Sequence, residues 1–273
     1  MTREKLLITV KTYPTLSKKY GETVCTAGIR PDGSWLRLYP VPFRRLDEKE
    51  QYRKFDWIEC DVIKHKGDPR PESFRPTNPD DFIPVGHMDT SHNWNARRQL
   101  ILNKSYVYTD LAELIDDAKL GTCSLAVFKP EKVVRLKVES DDRIWDPKKL
   151  QAFRDQANQP DLFEDNSWKR TFEMIPKLPY VFKYVFEDVG GRSSQMQILD
   201  WEIGALFWNC KRKYHEDSMA IKKVKEKYMD EFLTKDLHFF LGTTQEFHFR
   251  APNPWVIIGV FPIPYEHQLE LPF

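Results

Sequence analysis

VCTAGIRPDGSWLRLYPVPFRR, residues 24–45, is the stretch whose reading decides the fold. It divides into two alternating runs about Pro31-Asp32-Gly33-Ser34. Pro presets φ for a turn and Gly accepts φ > 0, so the two runs are predicted to form a hairpin. Side chains alternate across a strand. Trp35, Arg37 and Tyr39 therefore share one face, and Leu36, Leu38 and Pro40 the other. The second face is aliphatic and suits a core. The first carries aromatic rings with a guanidinium between them. Pro40 and Pro42 end the hairpin, because proline cannot donate to a central ladder.

Further strands are predicted on both sides of this hairpin. Leu6–Lys11 and Asp56–Lys64 read as strands, as do Ser124–Phe128 and Val133–Val138. Closing them on the hairpin removes their edges. The expected fold class is α+β: an OB-like antiparallel β-barrel with a helical insertion over residues 1–158, then a C-terminal α+β part over 159–273. The insertion spans Ser91 to Gly121, with Ser91 and Asp110 as helix caps and Gly121 as a stop. In the second part, Tyr180–Leu199 reads as a hairpin around Gly190-Gly191. Asp200 and Asp217 can cap two helices, the second reaching Leu233. Leu237–Leu241 and Trp255–Phe261 are unbroken apolar runs, which predicts strands buried on both sides.

Composition narrows the function. The chain has 273 residues, 41% hydrophobic and 30% charged, enough for a sizeable core. The net charge is only +1, so a protein that coats polyanions over its whole surface is excluded and any nucleic-acid site is a local patch. Aromatic residues reach 14%, and large rings serve either as core or as flat binding platforms. The 4 cysteines form no C-x-x-C pair, which argues against a disulfide framework or structural zinc site. A leader and a long apolar span are also missing from the pattern, so a cytoplasmic protein without membrane association is expected. No P-loop, G-x-G-x-x-G, G-x-S-x-G or H-E-x-x-H motif occurs, and no cofactor is expected.

The hairpin carries a resemblance. Cys25, Ala27, Gly28 and Ile29, then Gly33, Trp35, Leu36 and Arg37, fit the pattern C-x-A-G-[IV], a polar turn, and G-x-W-[IL]-R. In this the chain resembles the dual-OB-containing domains of uncharacterised prokaryotic proteins. Ser124–Glu139, SLAVFKPEKVVRLKVE, is similar to a later strand pair of that group. The resemblance implies OB-like barrels and nucleic-acid handling in conflict with phage or plasmids. It implies no catalytic residues.

Four sites follow from the residues themselves. The first is the aromatic-basic face, Trp35, Arg37 and Tyr39, with Lys18, Lys19, Arg44 and Arg45 near in sequence. OB barrels stack bases on such rings and follow phosphates with Lys and Arg. The plainer alternative has Trp35 and Tyr39 packed under a helix, with Arg37 paired to a carboxylate. The second is the proline-stiffened loop Asp68–Ser73, where Arg70 and Ser73 could bind phosphate, or Asp68 and Glu72 could act on a substrate. A rigid surface connection is the plainer alternative. The third is Asp200-Trp201-Glu202 at a helix start, as acid and base, or simply as cap and dipole partner. The fourth is Thr244–Pro254, a stiff polar stretch that reads first as a wide connection between two strands, and whose His248, Arg250 and Asn253 could otherwise rim a base pocket.

The function expected is binding of single-stranded or modified DNA or RNA. The alternatives are an enzyme on nucleic acid or nucleotides, of glycosylase or hydrolase type, and a partner-binding subunit. Asp200 and Glu202 in a ring-lined cleft would favour the enzyme; a cap and a surface residue would not.

Overall fold

Leu6–Val10 is buried throughout because its two faces serve two cores. Leu6 and Ile8 point into a barrel, while Leu7 and Val10 pack outward against the C-terminal part. A bulge between Ile8 and Val10 keeps both faces in register. This computed structural model describes residues 1–17, 21–46, 51–78, 82–158 and 174–266. Lys18 and Lys19 lie outside them, as does the polar stretch Gln159–Asn166 expected to join the two parts.

The barrel uses β1 (Thr2–Lys11), β3 (Gly21–Ile29), β4 (Trp35–Val41), β5 (Asp56–Lys64) and β6 (Ser73–Pro76). A short β2 (Thr15–Ser17) extends β3, and β7 (Ile83–His87) pairs with β5. The order around the barrel is β1-β3-β4-β6-β5, and β5 closes it by pairing Val62–Trp57 with Thr2–Leu7 of β1. The expected antiparallel barrel is thus corrected to a mixed one, because β4 and β6 run parallel at Arg37–Leu38 and Ser73–Phe74. Inside lie Leu36, Leu38, Val41, Ile58, Cys60 and Val62, with Tyr52 bonded through its hydroxyl to Thr26 at 2.6 Å. The predicted hairpin is present. Gly33 has φ +93, and a Cβ there would sit 2.7 Å from the Lys104 carbonyl oxygen.

The barrel is complete at Pro76, so the helices α1 (Ser91–Arg98) and α2 (Leu111–Leu120) follow it and are not inserted between its strands. Thr90 precedes α1 and makes no side-chain cap, and His92, Asn93 and Trp94 take positive φ, so Ser91 does not start a regular helix. Asp110 caps α2 and Gly121 ends it with φ 74, as expected. Between the helices lies β8 (Val107–Tyr108). The segment Ser124–Val138 does not join the barrel. It forms β9 (Leu125–Phe128), which pairs with β8 and with the last strand pair, and β10 (Lys132–Ser140), which starts a different sheet. The reason is burial: all four residues of β9 are buried, with Phe128 in the core of the C-terminal part and Val127 in the layer between that part and the barrel.

After α3 (Pro147–Asn158), β11 (Tyr180–Glu187) and β12 (Ser193–Gln197) continue the β10 sheet as a hairpin. A bridge from Ile198 to Ile257 links it to the other sheet. The helices α4 (Trp201–Tyr214) and α5 (Asp217–Lys225) cover one side. Asp217 does not cap α5; it binds Lys211 at 2.8 Å and Arg143 at 2.7 Å. β13 (Asp236–Thr243) and β14 (Trp255–Ile263) are buried on both faces. Phe239 and Leu241 face the helices, and Phe240 faces the barrel, which explains the unbroken apolar runs.

Candidate nucleic-acid interface

The outer face of β3 and β4 is covered, and this relocates any ligand. Trp35 packs edge-on against Phe240 with ring centroids 5.7 Å apart. Arg37, 2% exposed, donates to Ser73 Oγ at 3.2 Å, Ser124 Oγ at 2.8 Å and the Ser124 carbonyl at 2.9 Å. Burial, then the neighbouring Arg70, draws its guanidinium down to about 10. Arg37 and Ser73 are therefore a tie between barrel and C-terminal sheet, not the phosphate contacts the sequence suggested. Arg70 is also buried, clasped by Asp68 and donating to the Thr243 carbonyl. Arg44 holds the buried carboxylate of Glu22 at 2.8 Å. Tyr39 is half-buried and its hydroxyl accepts from Thr23 at 3.4 Å. The Arg45 side chain lies outside the described residues.

The carboxylate pair separates in the same way. Asp200 is 1% exposed. It accepts from its own helix at Glu202 N, from Val260 N at 3.2 Å and from Lys54 Nζ at 3.4 Å. Burial pushes its carboxyl up to about 6 against the pull of Lys54. Burial opposes the Lys54 ammonium, but Asp200 and Glu202 outweigh it and the net shift is upward. Glu202 is exposed on its outer side. Trp201, one of the rings expected around the pair, lies instead under the Lys11 ammonium at 4.8 Å. Asp200 is a cap and a tie, Glu202 a surface partner, and no ring-lined cleft opens on them among the described residues. Elsewhere His87 bonds Asp56 at 2.6 Å and Asp89 accepts from Ser91, and among the described residues no group of three or more His, Cys, Asp or Glu is placed to hold a metal ion.

A groove of about 380 Å³ lies at the rim of the covered face. Its walls are the hairpin turn with Arg30 and Trp35, Phe74 of β6, the segment Ser105–Tyr108, and Thr122–Ala126. Ser105 Oγ donates to the Gly33 carbonyl at 2.9 Å, and Glu72 accepts from Ser124 N at 3.0 Å, which fixes both sides. Tyr106 is 63% exposed and stands edge-on to Tyr108, centroids 4.6 Å apart. Their hydroxyls are anchored on Glu113 at 3.1 Å and Asp117 at 2.6 Å. Phe74 lies within 5.6 Å of the Arg30 guanidinium and 4.9 Å of the Lys64 ammonium. Lys64 and Lys104 bond backbone carbonyls, at Arg70 and Pro31, so their charge is not cancelled by those contacts. Cys123 also lines the groove, but burial pushes its thiol up to about 12, so it is no nucleophile at neutral pH.

Sequence reasoning missed Tyr106, Tyr108, Phe74, Arg30, Lys64 and Lys104. The signal was there in KSYVY, residues 104–108, where alternation puts both tyrosines on one face after a lysine. The structure also brings together two loops that the sequence singled out separately. Gln245 Nε2 donates to the Gly67 carbonyl at 2.6 Å, and His248 is buried beside Asp68 and Arg70. Neither ring nitrogen of His248 has a partner among the described residues, and burial, Arg70 and Arg37 lower its pKa.

These features define an α+β protein built on a closed five-stranded mixed barrel, with an aromatic groove where a second, strand-rich part covers the barrel wall. The chain belongs to the family described as Domain of unknown function (DUF8757), which matches residues 104–272. A second such domain, DUF8758, matches residues 2–103. No curated protein matches. Among solved structures, "Structure of murine DNA binding protein bound with ds DNA" is 10% identical, covering 96% of this chain and 94% of that chain with a TM-score of 0.31. No described helix is long and apolar enough to cross a membrane.

Proposed function

We propose that the protein binds single-stranded or modified nucleic acid, with bases stacked in the Tyr106–Phe74 groove. The observation that carries this reading is the exposed Tyr106 ring braced on Tyr108 beside Phe74, with Lys64 and Lys104 close by. Five strands closed in this order suit an OB-like barrel, an architecture that takes oligonucleotides on its second and third strands and on the loops beside them. Here the C-terminal sheet covers those strands, so the ligand path moves to their rim. The loop between the fourth and fifth barrel strands, residues 65–72, borders that path, as it does in the general OB scheme. The resemblance of the hairpin to dual-OB-containing domains supports the same reading and extends it to conflict with phage or plasmids.

Fluorescence anisotropy with labelled single strands and duplexes tests it. Single strands should bind more tightly than duplex, and affinity should fall with salt as counterions are released. Tyr106→Ala should weaken binding at least fivefold, at about 1–3 kcal/mol per stacked base, without moving Tm. Absence of binding at low salt, or a Tyr106→Ala variant equal to wild type, would overturn the reading.

A further inference from the structure

A second cleft, of about 500 Å³, is lined by Pro69, Gln245, Glu246, Phe249 and Arg250. Phe249 is 53% exposed and its ring lies 4.3 Å, centroid to centroid, from the buried His248. An exposed phenylalanine braced on a buried ring is held in place, so little freedom is lost when a flat ligand covers it. Lys66 and Arg250 are exposed nearby, and among the described residues neither makes an ion pair. Their charges are available to an anion.

The two clefts draw on neighbouring residues of the same loop. Pro69 lines the second and Pro71 and Glu72 the first. Across from them, Thr122 and Cys123 line the first, and the preceding residue, Gly121, faces Phe249 across the 3.8 Å that a Cβ there would leave.

We infer that the second cleft is a further base subsite on the same strand path: Phe249 stacks a base, and Lys66 and Arg250 hold its phosphates. This rests on the nucleic-acid reading above. Stacking with flanking cations explains why both clefts pair exposed rings with Lys or Arg while the whole chain is nearly neutral. It also gives a use to the Thr244–Pro254 connection, whose tight path brings Phe249 and Arg250 to the surface while burying His248.

The test is a length series of labelled oligothymidylates, from about 4 to about 16 nucleotides, the span of known OB footprints. Wild type should gain affinity as the probe becomes long enough to fill both clefts. Phe249→Ala should remove about tenfold of that gain at the long probe and leave the shortest probe's affinity within about twofold. Lys66→Ala with Arg250→Ala should lower the salt slope for the long probe by about 1.4, at 0.7 per phosphate on a single strand. If wild type binds but Phe249→Ala keeps the full length dependence, the second subsite is wrong and the first groove stands. If Phe249→Ala weakens short and long probes equally, the two clefts are not successive and the inference falls. Absence of binding at every length overturns both readings together.

Discussion

Asp200→Asn is expected to lower the unfolding free energy by about 1–3 kcal/mol, the cost of leaving the buried Lys54 ammonium with a weaker acceptor. The full cost of a broken buried ion pair is not expected, because burial already disfavours the ionised carboxylate. As a helix cap alone the change would be nearly harmless, because Asn caps as well as Asp. The structure gives Asp200 two further tasks. It faces the Lys54 ammonium, whose side chain is 11% exposed, and it accepts from Val260 N of β14. A neutral carboxamide leaves that ammonium with Glu202, which is more than half in water, and with the Val260 carbonyl at 3.0 Å. The loss therefore acts on the contact between barrel and C-terminal part. Glu202→Gln, by contrast, removes an exposed partner and should cost under about 1 kcal/mol. Urea denaturation of both variants checks this. An Asp200→Asn variant within about 0.5 kcal/mol of wild type would reduce the residue to a cap.

Arg70→Met is expected to cost about 3–5 kcal/mol at neutral pH. The guanidinium is the partner of Asp68, which is itself buried. Burial pushes Asp68 up, but the bonds to Arg70 outweigh it and hold its carboxyl down at about 2. A carboxyl lowered in the folded state gives stability that is present above its unfolded pKa, near 3.9, and is lost as pH falls toward about 2. Without Arg70 the buried carboxylate takes up a proton more readily. The gap between wild type and Arg70→Met should therefore be widest at neutral pH and narrow below about pH 4. Thermal unfolding from neutral to acid pH measures it. A gap that does not change with pH would show that Arg70 acts only by packing. A variant of unchanged stability with weakened oligonucleotide binding would restore the phosphate-binding role that the sequence suggested.

Local pattern carried the hairpin, the α2 caps and the doubly buried C-terminal strands, because alternation and turn chemistry act over a few residues. It failed where pairing is non-local. SLAVF, residues 124–128, has no mark that tells a barrel strand from a partner of β13, which lies more than one hundred residues later. β6 is four residues inside a proline-rich stretch, so the strand that joins β4 to β5 reads as loop. The binding face shows the same limit. Alternation placed Trp35 and Arg37 together correctly, but it cannot say what covers a face. Phe240 and Ser124 cover this one. Tyr106 and Tyr108 do alternate in KSYVY, but the run is too short to stand out from a loop: only Val107–Tyr108 pairs as a strand.

A nucleic-acid strand bound in the groove at the edge of the covered barrel wall would lie against Tyr106. Photo-crosslinking of a single strand carrying 5-iodouracil, followed by peptide mass spectrometry, reads that position. Adducts are expected on Tyr106, with Phe74 or Tyr108 as neighbouring sites, and should be lost in Tyr106→Ala. Adducts confined to the lysine face of α5 around Lys222 and Lys225, with none in the groove, would contradict this placement.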